Sequence, residues 1–568
     1  MLKDDDRLNV VLCLHMHQPE YRDLETGEYQ LPWTYLHAIK DYVDIASHLE
    51  ATPHARAVIN FSPILVVQLH DYASQLKSFQ SDGTSITDAL LAALAVRSMP
   101  SNVGQRQALI GACLRANVQR MVERFPAYKA LTEIAVEMNT PARVGYVNDQ
   151  FLTDLLVWYH LVWLGETVRR TDLSVRRLIE KGENFDYEDK RELLALIERL
   201  LESIIPRYAA LARAGKVELS MSPYGHPIVP LLLNLESARE SMPDATLPAA
   251  ERYPGGRDSA LGHLRRGIEV FRTHFGLTPS GCWPSEGALS TATLELLSET
   301  GFTWAASGEG VLSNSLRDAG FEPGGANLFH AYRVGETSTK CFFRDEAISD
   351  AIGFSYQEWH ADDAVADLIN RLKDIRASRE ACAQNVVSIV LDGENAWEHY
   401  PENAYYFLSA LFEKLSSEPG LRLTTFDDCL KHSVSEFALP ALVAGSWVYG
   451  TLSTWIGERS KNLAWDYLCE AKREVDAVLA AGRLQAPVVE ELRRQLDVCE
   501  GSDWFWWLGD VNPSESVALF DSLFRRHLRR LYKLMAVKAP SHLDESLSLH
   551  AQGSDSVGVM RRSSAPHD

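Results

Sequence analysis

Short apolar runs rich in β-branched and aromatic residues recur between long amphipathic segments, at 10–16, 57–61, 217–221, 280–283, 303–306, 386–391 and 421–426. Strands alternating with helices predict parallel βαβ units, because parallel neighbours need a crossover long enough to hold a helix. About seven such strands suit an α/β barrel or barrel-like sheet, whose ligands sit beyond the carboxyl ends of the strands. Helical patterns at 105–124, 148–164 and 188–214 interrupt the series and predict a helical insertion over about 100–215. From about 464 onward the pattern is helical throughout. The expected organisation is a catalytic βα barrel over 1–440, a C-terminal helical region over 441–540 that completes the active site, and a Ser-, His- and Gly-rich tail over 541–568 expected to be disordered.

Charge and composition narrow the partners. A formal net charge of -21 disfavours nucleic acid and anionic membrane surfaces, both of which need concentrated Lys and Arg. A neutral ligand fits better. The first residues, Met-Leu-Lys-Asp-Asp-Asp-Arg, lack the basic and apolar regions of a signal peptide. The apolar helix around 151–164 carries Asp154 and His160 and is too short to span a bilayer. The eight cysteines are scattered with no Cys-x-x-Cys pair, which reads as reduced packing thiols. The expected location is cytoplasmic.

The run at 386–391 ends abruptly in Asp392-Gly393-Glu394-Asn395-Ala396-Trp397-Glu398, the way a buried strand delivers polar side chains to the rim of a core. An Asp-Gly step also starts hairpins. Here a second alternating strand is missing and a helical pattern follows from Glu402, so strand, polar loop, helix is expected.

Other strand ends repeat that logic. Period 2 puts Cys13, His15 and His17 on one face of the first strand, so two imidazoles project together. They are either hydrogen-bonded core histidines, substrate contacts, or two of the three protein ligands a mononuclear zinc site needs. Pro223-Tyr224-Gly225-His226-Pro227 is a proline-stiffened loop that can hold a side chain against a ligand. Trp283-Pro284-Ser285-Glu286 places an aromatic before a carboxylate. Two carboxylates at the ends of two parallel strands supply what glycoside cleavage requires, one to attack or activate water and one to protonate the departing oxygen. Aromatics beside polar groups at Trp455 and at Asp503-Trp504-Phe505-Trp506-Trp507 suit a sugar's two-faced chemistry, with Phe505 and Trp507 read as core and Asp503 and Trp504 as ligand candidates.

These segments together resemble glycoside hydrolase family 57, a group of α-glucan-active enzymes. His15-Met16-His17-Gln18-Pro19, Gly225-His226-Pro227-Ile228-Val229-Pro230, Trp283-Pro284-Ser285-Glu286 and Asp392-Gly393-Glu394 resemble its first four motifs in order, over about 8–534 of the chain. The resemblance implies an incomplete (β/α)7 barrel followed by helices. It also implies retaining cleavage of α-1,4 or α-1,6 glucosidic bonds, with no catalytic metal and no cofactor. On that resemblance Glu286 is the nucleophile and Asp392 the acid/base, with Glu394 close enough to raise the Asp392 pKa by like charge. His15, His17, Gln18, His226, Trp283, Arg344, Glu394, Trp397, Trp455, Asp503 and Trp504 are the substrate-binding candidates. The motif forms look most like α-amylase or amylopullulanase members and depart from the branching-enzyme pattern in having Gln18.

Three alternatives are distinguishable. A 4-α-glucanotransferase would share the covalent intermediate and resolve it with a sugar hydroxyl. A metal-dependent polysaccharide deacetylase is prompted by His15-x-His17 and Thr425-Phe426-Asp427-Asp428, although that acidic string would be expected on an early strand. A non-catalytic glycan-binding protein would not need both carboxylates.

Overall fold

The first strand, β1 (Leu8–Met16), is buried at every residue. It needs neighbours on both edges, since unpaired buried backbone groups are costly. In this computed structural model, which describes residues 7–324, 327–379, 382–432, 434–509 and 511–548, β8 (Val386–Asp392) runs parallel along one edge of β1. The other edge is shared between β2 (Ala57–Phe61) at the carboxyl end and β9 (Leu421–Thr424) at the amino end. From β2 the sheet continues in parallel through β3 (Val217–Met221), β4 (Gly281–Cys282), β5 (Trp304–Gly308) and β7 (Lys340–Arg344). Pairing of Arg344 with Ser388 then closes a parallel barrel of seven strands. The (β/α)7 expectation holds.

One member of the ring differs from the sequence reading. The seventh barrel strand is Lys340–Arg344, which was not among the expected runs, whereas the run at 421–426 forms β9 on the flank of β1 and turns into a helix at Phe426. The short strand β6 (Ala331–Val334) lies outside the ring, antiparallel to β7, and β10 (Glu436–Leu439) adds to β6. A four- or five-residue run with Lys and Arg at its ends carries too little apolar period to stand out.

Alternation along the strands sorts the core into two layers. Val11, Cys13, Val58, Trp304, Ala306, Phe342 and Val390 pack together in one cluster, while Val10, Leu12, Leu14 and Met16 belong to the large cluster shared with the helices. His15 continues the Val11–Cys13 face of β1. The barrel's filling therefore ends in imidazole at the carboxyl end of the first strand.

Between β2 and β3 the described elements are all helical, including Pro63–Asp82, Asp149–Trp163 and Tyr187–Arg213. The last starts at a capping box in which the side chains of Asp186 and Asp189 each accept the other's backbone N–H. After β10 come the helices Arg459–Ala480, Ala486–Cys499, Ser502–Trp507 and Ser514–Leu534. Of the tail expected to be disordered, 541–568, the first residues are described and form a single helical turn over Ser541–Asp544, while 549–568 lie outside the described residues. All eight cysteines are buried and unpaired. Among the described residues no helix is long and apolar enough to cross a membrane.

Candidate active site

The carboxyl ends of the strands open into a cleft of about 880 Å3. His15 and His17 line its floor, and His226, fully buried and off the cleft surface, stacks behind them, its ring centroid 3.7 Å from that of His17 and 5.2 Å from that of His15. Each is oriented from behind. His15 Nδ1–H donates to Asn60 Oδ1 at 2.7 Å, and that oxygen also accepts from Ser222 Oγ at 3.0 Å. His17 Nε2–H donates to Asp503 Oδ1 at 2.9 Å, with Ser62 Oγ 2.8 Å from its Nδ1. His226 Nδ1 lies 2.9 Å from Ser502 Oγ. Burial, reinforced by the charge of His17, pulls the His15 pKa down to about 3. The same causes hold His226 well below the usual histidine range. Both rings are neutral at ordinary pH, and the Nε2 of each is buried without a hydrogen-bond partner.

Glu286 enters the cleft from the turn after β4. Pro284 donates no backbone hydrogen bond, so it ends the two-residue strand, and a 3-10 turn over Ser285–Gly287 follows. Within it Glu286 sits in the left-handed region at φ 56, ψ 25, which costs a non-glycine residue roughly 1–3 kcal/mol and marks functional sites. His226 shares the trait at φ 59. Gly287 also has positive φ, and a Cβ there would come 2.9 Å from the Trp283 ring. Trp447 holds the strained turn, its Nε1–H donating to Glu286 Oε2 at 3.0 Å and its backbone N–H to the Glu286 carbonyl at 3.2 Å.

Asp392 ends β8 in register with His15. Burial raises its pKa above the ordinary carboxylate value, opposed by a 3.1 Å hydrogen bond from Asn395 Nδ2 and by the charges of His17 and Arg344. Glu394 is deeper. Its Oε1 accepts from the His17 backbone N–H, Gln18 Nε2 and Tyr42 OH at 3.0, 3.1 and 3.1 Å, while Oε2 has no partner. Burial first and the Asp392 charge second push the Glu394 pKa far up. This reverses the expected direction of influence, because the more buried carboxyl of a like-charged pair keeps the proton. Burial and the Asp392 charge thus act on Glu394, and burial is what raises Asp392.

His15, His17, Gln18, Glu286, Arg344, Asp392, Glu394 and Asp503 all line the cleft. Arg344 is also braced there, donating from Nε to the Val390 carbonyl at 2.6 Å and from Nη2 to Asp350 at 2.7 Å. Trp283 packs beneath the histidines with its ring centroid 6.4 Å from that of His15. Trp397, Trp455 and Trp504 lie in the core, fully buried. Trp397 donates to the Gly393 carbonyl and Trp504 to the Val498 carbonyl. The reading of the aromatic string is thereby turned round at one pair, since Trp507 lines the cleft and Trp504 does not. The string forms the helix Ser502–Trp507, whose turn puts residues three apart on one face: Asp503, Trp506 and Trp507 reach the cleft while Trp504 packs on Phe524.

Sequence reasoning missed Trp447, Asn60 and the wall formed by Trp33 and Trp163. The signal for Trp447 was its setting between Gly445 and Gly450 in a short loop. Thr425-Phe426-Asp427-Asp428 lies elsewhere, at the start of a helix following β9, where Thr425 caps the helix and Asp428 pairs with Arg56. A deacetylase-like role for that string is thus unsupported.

Comparison with known proteins agrees with this architecture. The profile of Glycosyl hydrolase family 57 matches residues 11–439. No curated protein matches the chain. The fold is similar to a branching enzyme of that type from Pyrococcus horikoshii (15% identity, 96% of this chain and 98% of that chain, TM-score 0.57). It is also similar to an α-amylase from Thermotoga maritima (13% identity, 93% of each chain, TM-score 0.55). A third likeness is to a 4-α-glucanotransferase from Thermococcus litoralis (13% identity, 92% of this chain and 60% of that chain, TM-score 0.50). At such identities the likeness is one of fold, shared among three different activities.

Proposed function

The chain belongs to glycosyl hydrolase family 57 and is a carbohydrate-active enzyme, and on that premise we propose that it cleaves α-1,4-glucosidic bonds of an α-glucan by double displacement, with retention. Glu286 attacks the anomeric carbon while Asp392 gives its proton to the departing glucosidic oxygen, forming a covalent glucosyl ester. Asp392, now ionised, takes a proton from water as the water attacks that carbon and frees Glu286. The supporting observation is a division of labour between two carboxylates on one cleft: burial keeps the proton on Asp392 to higher pH, and an indole N–H meets Glu286. An acid must arrive protonated and a nucleophile ionised.

Neutral His15 suits a neutral sugar, since it lines the cleft without bringing a charge to it. Trp33, Trp163, Trp506 and Trp507 give the cleft apolar walls for the C–H faces of glucosyl units. The same intermediate resolved by a sugar hydroxyl would make the enzyme a 4-α-glucanotransferase. Incubation with maltoheptaose decides between them. Rising reducing ends are expected for hydrolysis, longer products at a constant reducing-end count would replace that reading with transfer, and Glu286→Ala should do neither.

A further inference from the structure

The sequence offers a His-x-His pair that lacks a third ligand for a metal, and the fold supplies candidates. Three groups of side chains bring a ligand atom from each member within 4.8 Å of the others: His15, His226 and Glu286; His17, His226 and Asp503; and His263, Asp497 and Glu500. Two of these are already satisfied internally. His17 is committed to Asp503 at 2.9 Å. His263 accepts the Gly225 backbone N–H at 3.0 Å on Nδ1 and donates from Nε2 to Glu500 at 2.7 Å. The first group differs, since His15 and His226 are 2% and 0% exposed and the Nε2 of each has no partner.

We propose that His15, His226 and Glu286 form a binding site for a divalent cation of the zinc class, and that the cation and a glucan exclude one another. Two imidazoles and a carboxylate, with the remaining position facing the cleft, are the donor set of an open zinc site, whereas magnesium and calcium prefer oxygen alone. The tautomer of His15 is set for it, because Asn60 Oδ1 can only accept, so Nδ1 carries the proton and Nε2 is left as a lone pair. Ser502 Oγ, 2.9 Å from His226 Nδ1, is a hydroxyl able to accept a proton from that ring in the same sense. Outer partners of this kind orient ligating histidines and raise metal affinity.

The inhibitory half rests on Glu286 being the nucleophile. A cation on its carboxylate takes up the electron pair needed for attack and fills the floor on which the sugar ring would lie. Zinc would then be a reversible brake rather than a participant in turnover.

The test uses the full-length protein stripped with chelator. Calorimetric titration with Zn2+ should show one ion per chain, and Co2+ in its place should develop the visible bands of a low-symmetry site. His15→Gln should abolish both signals. Asn60→Ala, which leaves all three ligands in place, should weaken Zn2+ binding by roughly 10–100-fold and keeps the test usable if His15→Gln does not fold. Binding indifferent to both substitutions, or no binding, overturns the site. In maltoheptaose assays Zn2+ should raise KM at constant kcat, and EDTA should restore activity. Unchanged kinetics with the ion bound would overturn the exclusion. Zn2+ binding as described in a protein that turns over no α-glucan would uphold the site and remove the functional reading instead.

Discussion

The indole N–H of Trp447 reaches Oε2 of Glu286 at 3.0 Å while its main-chain N–H reaches the Glu286 carbonyl at 3.2 Å, so one residue grips the other by side chain and backbone together. The gripped residue is in a left-handed conformation, and the gripping loop lies more than a hundred residues downstream, beyond the last strand.

Trp447→Phe keeps the ring and removes the donor to the carboxylate. Losing a hydrogen bond to a charged group costs about 1.5–3 kcal/mol, which is roughly a 10- to 100-fold fall in kcat/KM. The backbone bond remains, so thermal unfolding should shift little. Wild-type kinetics in this variant would show that the indole does not tune the nucleophile.

Removing the carboxylates separates their roles. Asp392→Ala should lower kcat/KM by about 10²–10⁴-fold on ordinary glucans and much less on a substrate whose leaving group needs no proton. Glu286→Ala should abolish turnover of both. Added azide should restore a glycosyl azide of inverted configuration only in the Glu286 variant. Recovery of the same anomer from both variants would contradict the assignment.

The alkaline limb of activity should follow Asp392. Its proton is retained because burial raises the pKa, and the Asn395 hydrogen bond works against that by favouring the ionised form. Asn395→Ala should therefore move the alkaline limb of kcat/KM to higher pH. A shift to lower pH would show that Asn395 stabilises the protonated acid instead.

Glu394 carries a stability signature of its own. Its native pKa is raised far above the unfolded value of about 4.3. Between those two values the native state holds the extra proton, so its contribution to stability falls as pH rises. Glu394→Gln keeps an acceptor for the three donors on Oε1 and has no proton to lose. Its unfolding free energy relative to wild type should climb with pH above about 4.3, by about 1.4 kcal/mol per pH unit of that window. A flat difference would mean that Glu394 is ionised in the native protein.

The strand ends that carry chemistry were legible because polarity changes there abruptly. Apolar β-branched runs stop at His15 and Asp392, a short Gly-Cys-Trp run stops just before Glu286, and period 2 was enough to turn His15 and His17 to one side. Lys340–Arg344 was missed as a barrel strand because so short a run, flanked by charge, carries little periodic signal. Trp504 was read towards the cleft because it adjoins Asp503, but one residue on a helix is 100° of rotation, and that step turns Trp504 away from the cleft onto Phe524. Neither Trp447 nor Asn60 announces its partner, since both act through bonds between segments distant in the chain.

The meeting of β1 with β8 also has a history in time. The hydrogen bond from the His17 backbone to Glu394 joins residues 377 apart, and a ribosome adding 5–20 residues per second needs roughly 20–75 s to cross that interval. For that period the first strand of the barrel, buried at every residue in the finished fold, leaves the exit tunnel with one flank open. The nascent chain is then a substrate for whatever in the cell shields bare strand edges, and recombinant yield should depend more on that shielding than on the stability of the finished barrel.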